Sequence, residues 1–257
     1  MDLQLDGDII LLLLCFGFLA AFIDSVVGGG GLIALPALLF TGMSPATALA
    51  TNKLAGSIGS ATSTFLFFKS GNIDMKRAMK WFPLTFFGSM AGALTVHFID
   101  PDLLKPLMLF MLAVVAVYTI VKKDLGSTTK EIMWTKGKRL TFLAVLTLIG
   151  FYDGFLGPGT GSFFIFAFVL LSGMNFLKAA GNAKLLNFGS NIGALLMFFA
   201  LGHVAIVYGL IMGAAQIVGS VVGTRFALKY GSHYVRILFI IVTCVLLAKN
   251  FYDYFIA

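Results

Sequence analysis

Four ionisable residues sit inside long apolar runs: Asp24, Lys53, Asp153 and Lys184. A charge at hydrocarbon depth costs a few kcal/mol on insertion scales, so such residues face a cavity or a partner. The two aspartates each precede a glycine cluster, Gly28-Gly29-Gly30-Gly31 in one case and Gly157-Pro158-Gly159-Thr160-Gly161 in the other. Consecutive glycines do not hold a regular helix, and broken backbone at membrane depth is tolerated only where protein or water satisfies it. The expected product is a helix break followed by a short helix, one from Leu32 and one near Ser162. Free amides and the helix dipole at those two N-termini favour an anion.

Lys53 recurs with Ser57, Ser60 and Thr64 at helical spacing, and Lys184 recurs with Asn187 and Asn191. Two polar stripes follow, suited to a hydrated path with a fixed positive charge for an anionic solute. For each lysine, snorkelling to an interface and a salt bridge to Asp24 or Asp153 are alternatives to solute contact. Asp24 and Asp153 can carry a coupling proton or can serve only as helix-end partners. Asn52, Ser162 and Gln216 are further candidates to hydrogen-bond a ligand, although bonding between helices is the commoner role of such residues. The spacings Gly88/Gly92, Gly209/Gly213 and Gly219/Gly223 are read as close helix packing. His97, His203 and His233 lie near span ends without metal spacing. No nucleophile, phosphate-loop or redox motif is present, so neither cofactor nor catalysis is expected.

The elements that position these residues are set by composition. Of 257 residues, 59% are apolar and 11% charged, with a mean hydropathy of +0.98, against roughly 25% charge in a soluble domain. A water-soluble globular fold is excluded, and an all-α polytopic membrane protein is expected. Eight runs have the length of a span: 9–27, 45–68, 81–98, 103–121, 140–156, 179–201, 204–224 and 234–249. The runs 32–41 and 162–172 are too short for one. The net charge of +7 lies mostly in loops, which points to orientation in a bilayer rather than to nucleic-acid binding. Cys15 and Cys244 form neither a disulfide framework nor a zinc site. The acidic N-terminus lacks the positive region of a signal peptide, so 9–27 is expected to be a retained span.

Self-comparison exposes a duplication. Phe22, Asp24, Gly28 and Gly30 match Phe151, Asp153, Gly157 and Gly159 at an offset of 129. At an offset of 131, Gly42, Lys53, Leu54, Gly71, Gly88 and Gly92 match Gly173, Lys184, Leu185, Gly202, Gly219 and Gly223, and Ser89 matches Ser220. Two homologous halves are expected, 1–125 and 138–257, joined by a basic cytoplasmic linker, 126–137. Three basic segments, at 69–80, 122–139 and 225–236, lie on one side only if each short run also completes a crossing. That gives up to ten crossings, inverted repeats and both termini outside. Re-entrant short runs would instead give eight crossings and parallel repeats.

The string Phe22-Ile-Asp-Ser-Val-Val-Gly-Gly-Gly-Gly-Leu-Ile-Ala-Leu-Pro36, with Gly42-Met-Ser-Pro and Ala50-Thr-Asn-Lys-Leu54, resembles the first signature of the TauE/SafE sulfite exporter family. Gly150-Phe-Tyr-Asp-Gly-Phe-Leu-Gly-Pro-Gly-Thr-Gly-Ser162, with Ala183-Lys-Leu-Leu-Asn187 and Ser190-Asn191, resembles the second. The resemblance covers the chain and implies a multi-pass inner-membrane permease for small anions such as sulfur oxyanions, sulfonates or organic acids. Carried over, its motifs fall on Asp24, Gly28 to Gly31, Pro36, Asn52, Lys53, Asp153, Gly157, Gly159, Gly161, Ser162, Lys184 and Asn187. Asp24 stands where many members are uncharged. The expected partners are a small anionic solute, a co-transported proton and the bilayer. An anion channel, and a membrane-embedded enzyme or assembly factor, are the alternatives.

Overall fold

The computed structural model describes residues 6–100, 102–104, 106–111, 114 and 134–230. Eight helices are delimited: α1 (Gly7–Val27), α2 (Gly31–Phe40), α3 (Pro45–Lys69), α4 (Met75–His97), α5 (Lys136–Phe155), α6 (Thr160–Ser172), α7 (Phe176–Ala200) and α8 (Ile206–Tyr230). Residues 102–104, 106–111 and 114 are helical as well. The expected span 234–249 and the expected linker 126–137 lie wholly or mostly outside the described residues.

Local sequence explains the starts. Asp6, Ser44, Asp74, Thr135 and Asn175 cap α1, α3, α4, α5 and α7, each side chain accepting a first-turn backbone N–H, which satisfies a donor the helix itself cannot. Asp74 and Asn175 start α4 and α7 ahead of the apolar runs that reveal them. The short helices differ. α2 and α6 have no side-chain cap and begin directly at the glycine breaks, so their first-turn donors are left for other partners.

At 1.5 Å per residue, the 25 residues of α8 extend about 37 Å and the 10 of α2 only about 15 Å, against a hydrocarbon core of about 30 Å. By length and apolarity α1, α7 and α8 can each cross a membrane. α3 has the same 25-residue length as α8 but a polar face, with Asn52, Lys53, Ser57, Ser60, Ser63 and Thr64 all buried. The outward faces are apolar, with Phe65, Phe87, Leu148, Leu196 and Phe199 exposed, as lipid contact requires.

Contact registers fix the helix directions. α1 and α8 run parallel, with Gly17 against Met212, Gly219 against Phe18 and Gly223 against Phe22. α4 runs parallel to α5, through Thr85 on Gly150 and Ser89 on Gly154, and parallel to α7, through Thr85 Oγ1 donating to Leu186 O at 3.1 Å and Ser89 Oγ to Ser190 O at 2.6 Å. α3 runs parallel to α8, with Leu54 on Gly209, Ile58 on Gly213 and Ser220 Oγ donating to Gly59 O at 2.9 Å. α3 and α7 run antiparallel: Asn72, just past the end of α3, meets Gly181 near the start of α7, and Ala205 N, just past α7, donates to Thr51 Oγ1 at 3.1 Å. Hence α1, α3 and α8 point one way and α4, α5 and α7 the other.

Two consequences follow. Because α1 and α3 point the same way, α2 returns the chain to the end where α1 began, and α6 does the same between α5 and α7. The basic residues at the end of α3, the starts of α4 and α5, and the end of α8 (Lys69, Lys76, Arg77, Lys136, Arg139 and Lys229) therefore share one end of the bundle.

All three glycine pairs read as packing sites do pack. A Cβ on Gly88 or Gly92 would strike the α5 backbone, and one on Gly219 or Gly223 the α1 backbone. Gly209 and Gly213 seat Leu54 and Ile58 of α3. These contacts let backbones approach as membrane interfaces need, where dispersion and hydrogen bonds replace the hydrophobic drive.

Candidate substrate site

The two glycine breaks meet in the interior. Ser162 N donates to Gly28 O at 2.9 Å, and Ser162 Oγ donates to Val27 O at 2.7 Å and also to Gly28 O. Gly28 (φ 73°) packs backbone to backbone on Gly161, an approach only glycine allows. The first break is thus stitched to the second.

Around this junction the four intramembrane charges pair crosswise. Lys53 Nζ lies 2.8 Å from Asp153 Oδ1, with side chains 1% and 3% exposed. Lys184 Nζ lies 2.7 Å from Asp24 Oδ2 and also donates to Asp24 O. Each lysine of one half therefore holds the aspartate of the other, and the salt-bridge alternative is the one observed for both. The remaining carboxylate oxygens are also used. Asp24 Oδ1 accepts the amides of Gly29 at 3.1 Å and Gly30 at 3.2 Å, and Asp153 Oδ2 accepts Ser190 Oγ at 2.5 Å. The anion at the first break is thus the protein's own Asp24, placed where the helix dipole stabilises it.

A small polar cavity opens between the pairs, about 40 Å³ of space for the centre of a water-sized sphere. At roughly 10–15 Å³ per water on that measure, it accommodates about three waters or one small solute. Of the expected binding residues, Gly29, Gly30, Gly31, Asn52 and Lys53 line it from the first half. Gly157, Gly159, Gly161, Asn187 and Asn191 line it from the second, and both Asp24 and Asp153 reach its wall. Gly28, Ser162 and Lys184 do not line it; they hold the junction behind the wall. The α3 stripe also departs from expectation. Ser57 and Ser60 hydroxyls donate to Lys53 O and Gly56 O one turn back, the usual fate of a mid-helix serine, and Ser57, Ser60 and Thr64 stay off the cavity.

Gln216, named above as a candidate to bond a ligand, also lines the wall, and Ala20, Gly56 and Thr160, which the sequence did not single out, complete it. Gly56 becomes visible at an offset of 131, where its counterpart is Asn187. Gln216 carries a compositional signal, being the only glutamine after Gln4. The chain also brings His97 and His203 together, ring centroids 6.1 Å apart, at the end of the bundle opposite the basic segments. His233 lies outside the described residues. Among the described residues no group of three His, Cys, Asp or Glu side chains is placed to hold a metal.

Residues 13–250 match the family model described as Sulfite exporter TauE/SafE. The chain belongs to the TauE/SafE family. Similar proteins include the probable membrane transporter protein ORF9 of a Sinorhizobium species, 39% identical over 92% of this chain and 90% of its own length. The probable membrane transporter protein YfcA of Escherichia coli K12 is 40% identical over 91% and 87%, and a probable membrane transporter protein of Haemophilus influenzae is 36% identical over 96% of both chains. No solved structure matches. A TauE/SafE chain is a multi-pass membrane transporter, and the enzyme alternative falls away.

Proposed function

We propose that the protein is a secondary transporter of a small anion, a sulfur oxyanion, sulfonate or organic acid, in the bacterial inner membrane. It works by alternating access between two inverted repeats, 1–125 and 138–257, joined on the cytoplasmic side by 126–137, with both termini outside. The opposed directions of α1 and α5, α3 and α7, and α4 and α8 support inversion, as does the repeated pairing of Ser89 with Ser190 and Ser220 with Gly59. The clustering of basic residues at one end supports that end as cytoplasmic.

The observation that carries this reading is the crosswise pairing at the cavity. Rocking of one repeat against the other shears Lys53 from Asp153 and Lys184 from Asp24, so both pairs sense the conformational change. An entering anion competes with Asp153 for Lys53, which lines the cavity, and is further drawn by the first turn of α6, where Thr160 and Gly161 line the same wall. Asp24 and Asp153, released by their lysines, are the groups that carry the coupled proton in this reading. In proteoliposomes holding the purified protein, an imposed pH gradient should drive accumulation of at least one of sulfite, sulfonates, thiosulfate or small carboxylates. Flux that only dissipates gradients would mark an anion channel, and no flux of any of them would refute the proposal.

A further inference from the structure

Three side chains on the cavity wall are buried, polar and without a partner among the described residues. Asn52, Asn187 and Gln216 are 7%, 6% and 4% exposed, and none of the three carboxamides hydrogen-bonds to protein among the described residues. Their amide atoms are not sealed in; they open on the cavity they line. Buried carboxamides are ordinarily satisfied, so three left open around one small space point to a ligand.

The duplication separates these residues from the rest of the site. The glycine break, one buried lysine, one buried aspartate and one packing serine (Ser89 or Ser220) occur in each half. The carboxamides do not: at an offset of 131, Asn52 corresponds to Ala183, Asn187 to Gly56 and Gln216 to Thr85. Thr85 Oγ1 is spent on Leu186 O. Whatever both conformations of a two-fold machine need is duplicated, whereas a single solute needs only one set of recognition groups.

We infer that Asn52, Asn187 and Gln216 are the specificity-determining residues, selecting a monoanion of about four heavy atoms that carries a hydrogen-bond donor as well as acceptors. Each carboxamide presents two N–H donors and one carbonyl acceptor. An oxyanion without a proton satisfies donors and strands every carbonyl; one with an O–H satisfies donors and one carbonyl as well. A site built to bond such a group rejects the analogue lacking it, because its own polar atoms stay unpaired. The cavity volume sets the size. The inference rests on the anion reading above and deepens it.

Two matched pairs of probes test it: hydrogencarbonate against nitrate at pH 8, both planar, and hydrogensulfite against chlorate at pH 6, both pyramidal. Within each pair charge, shape and heavy-atom count match; the central atom changes, and the hydrogen-bonding difference is the single proton. Binding is measured by calorimetry on the purified full chain in detergent. The wild type should prefer the protonated member of at least one pair by roughly tenfold or more, the factor for about 1.4 kcal/mol, a typical cost of one stranded buried acceptor. Gln216→Met, Asn52→Ala and Asn187→Ala should weaken binding of both members of a pair, since each removes N–H donors, and at least one of them should weaken the protonated member severalfold more and so shrink the ratio, with folding checked by gel filtration. Equal affinity within both pairs, or an unchanged ratio in all three variants, overturns the inference while leaving the anion reading intact. A wild type that binds none of the four but does bind a neutral or cationic solute overturns both.

Discussion

Removing one lysine should not cost the same as removing the other, although the repeat makes them equivalents. Lys53→Met leaves Asp153, 3% exposed, with one remaining hydrogen bond, from Ser190. Breaking one partner of a buried pair costs about 3–5 kcal/mol because a buried charge stays uncompensated. Lys184→Met leaves Asp24 with the amides of Gly29 and Gly30 and 22% of its side chain exposed, so amides and water take over part of the lysine's role. Its cost should be nearer 1–2 kcal/mol, within the range for a charged group losing one of several bonds. The expected difference is about 2 kcal/mol, read from equilibrium unfolding of the purified protein in mixed detergent micelles. Adding Asp153→Asn to Lys53→Met should recover about 2 kcal/mol or more, the non-additivity expected of contacting residues. Equal costs for the two lysines, or a double variant that is simply additive, would refute the reasoning.

The glycine junction gives a steric test. Gly28→Ala drives a methyl into the Gly161 backbone at positive φ and should abolish folded protein on gel filtration, whereas Gly42→Ala, also at positive φ but with nothing within 4 Å of the new carbon, should cost only about 1–2 kcal/mol of backbone strain. The interface glycines should act as matched sets: Gly92→Leu and Gly223→Leu, which meet the α5 and α1 backbones respectively, should both prevent assembly, and loss of assembly in one alone would break the equivalence of the halves. Topology can be read with cysteines in a variant lacking Cys15 and Cys244. Ser70→Cys and Leu201→Cys occupy matching positions of the two repeats and should react with an impermeant thiol reagent from opposite sides of the membrane; labelling from one side would contradict inversion.

Much of this architecture was legible because its causes are local or repeated. The glycine clusters announced the breaks, the 131-residue offset announced which helices correspond, and the three basic segments favoured short runs that return the chain over re-entrant ones. The pairing of charges was less accessible. Asp24 and Lys53 lie close in sequence, and nothing in their spacing indicates that they bond to Lys184 and Asp153, because the partner is chosen by how helices distant in the chain pack. The α3 stripe misled for a different reason: helical spacing puts Lys53, Ser57, Ser60 and Thr64 on one side, but a hydroxyl can turn back to its own helix and leave the cavity to glycine. Gln216 was singled out with Asn52 and Ser162 as a group able to bond a ligand, and only the structure separates the two carboxamides on the wall from the serine that stitches the breaks.

The most direct measurement is anion flux in proteoliposomes carrying the Lys53→Met/Asp153→Asn double variant beside the wild type, with folding verified by the unfolding experiment above. Neutralising both members of the cavity pair together keeps the interior free of an unpaired charge while removing the proposed anion contact. The account predicts a folded protein whose flux falls at least about a hundredfold, the loss corresponding to about 2.7 kcal/mol of transport barrier. A well-folded double variant that carries sulfite or any other tested anion at the wild-type rate would contradict it.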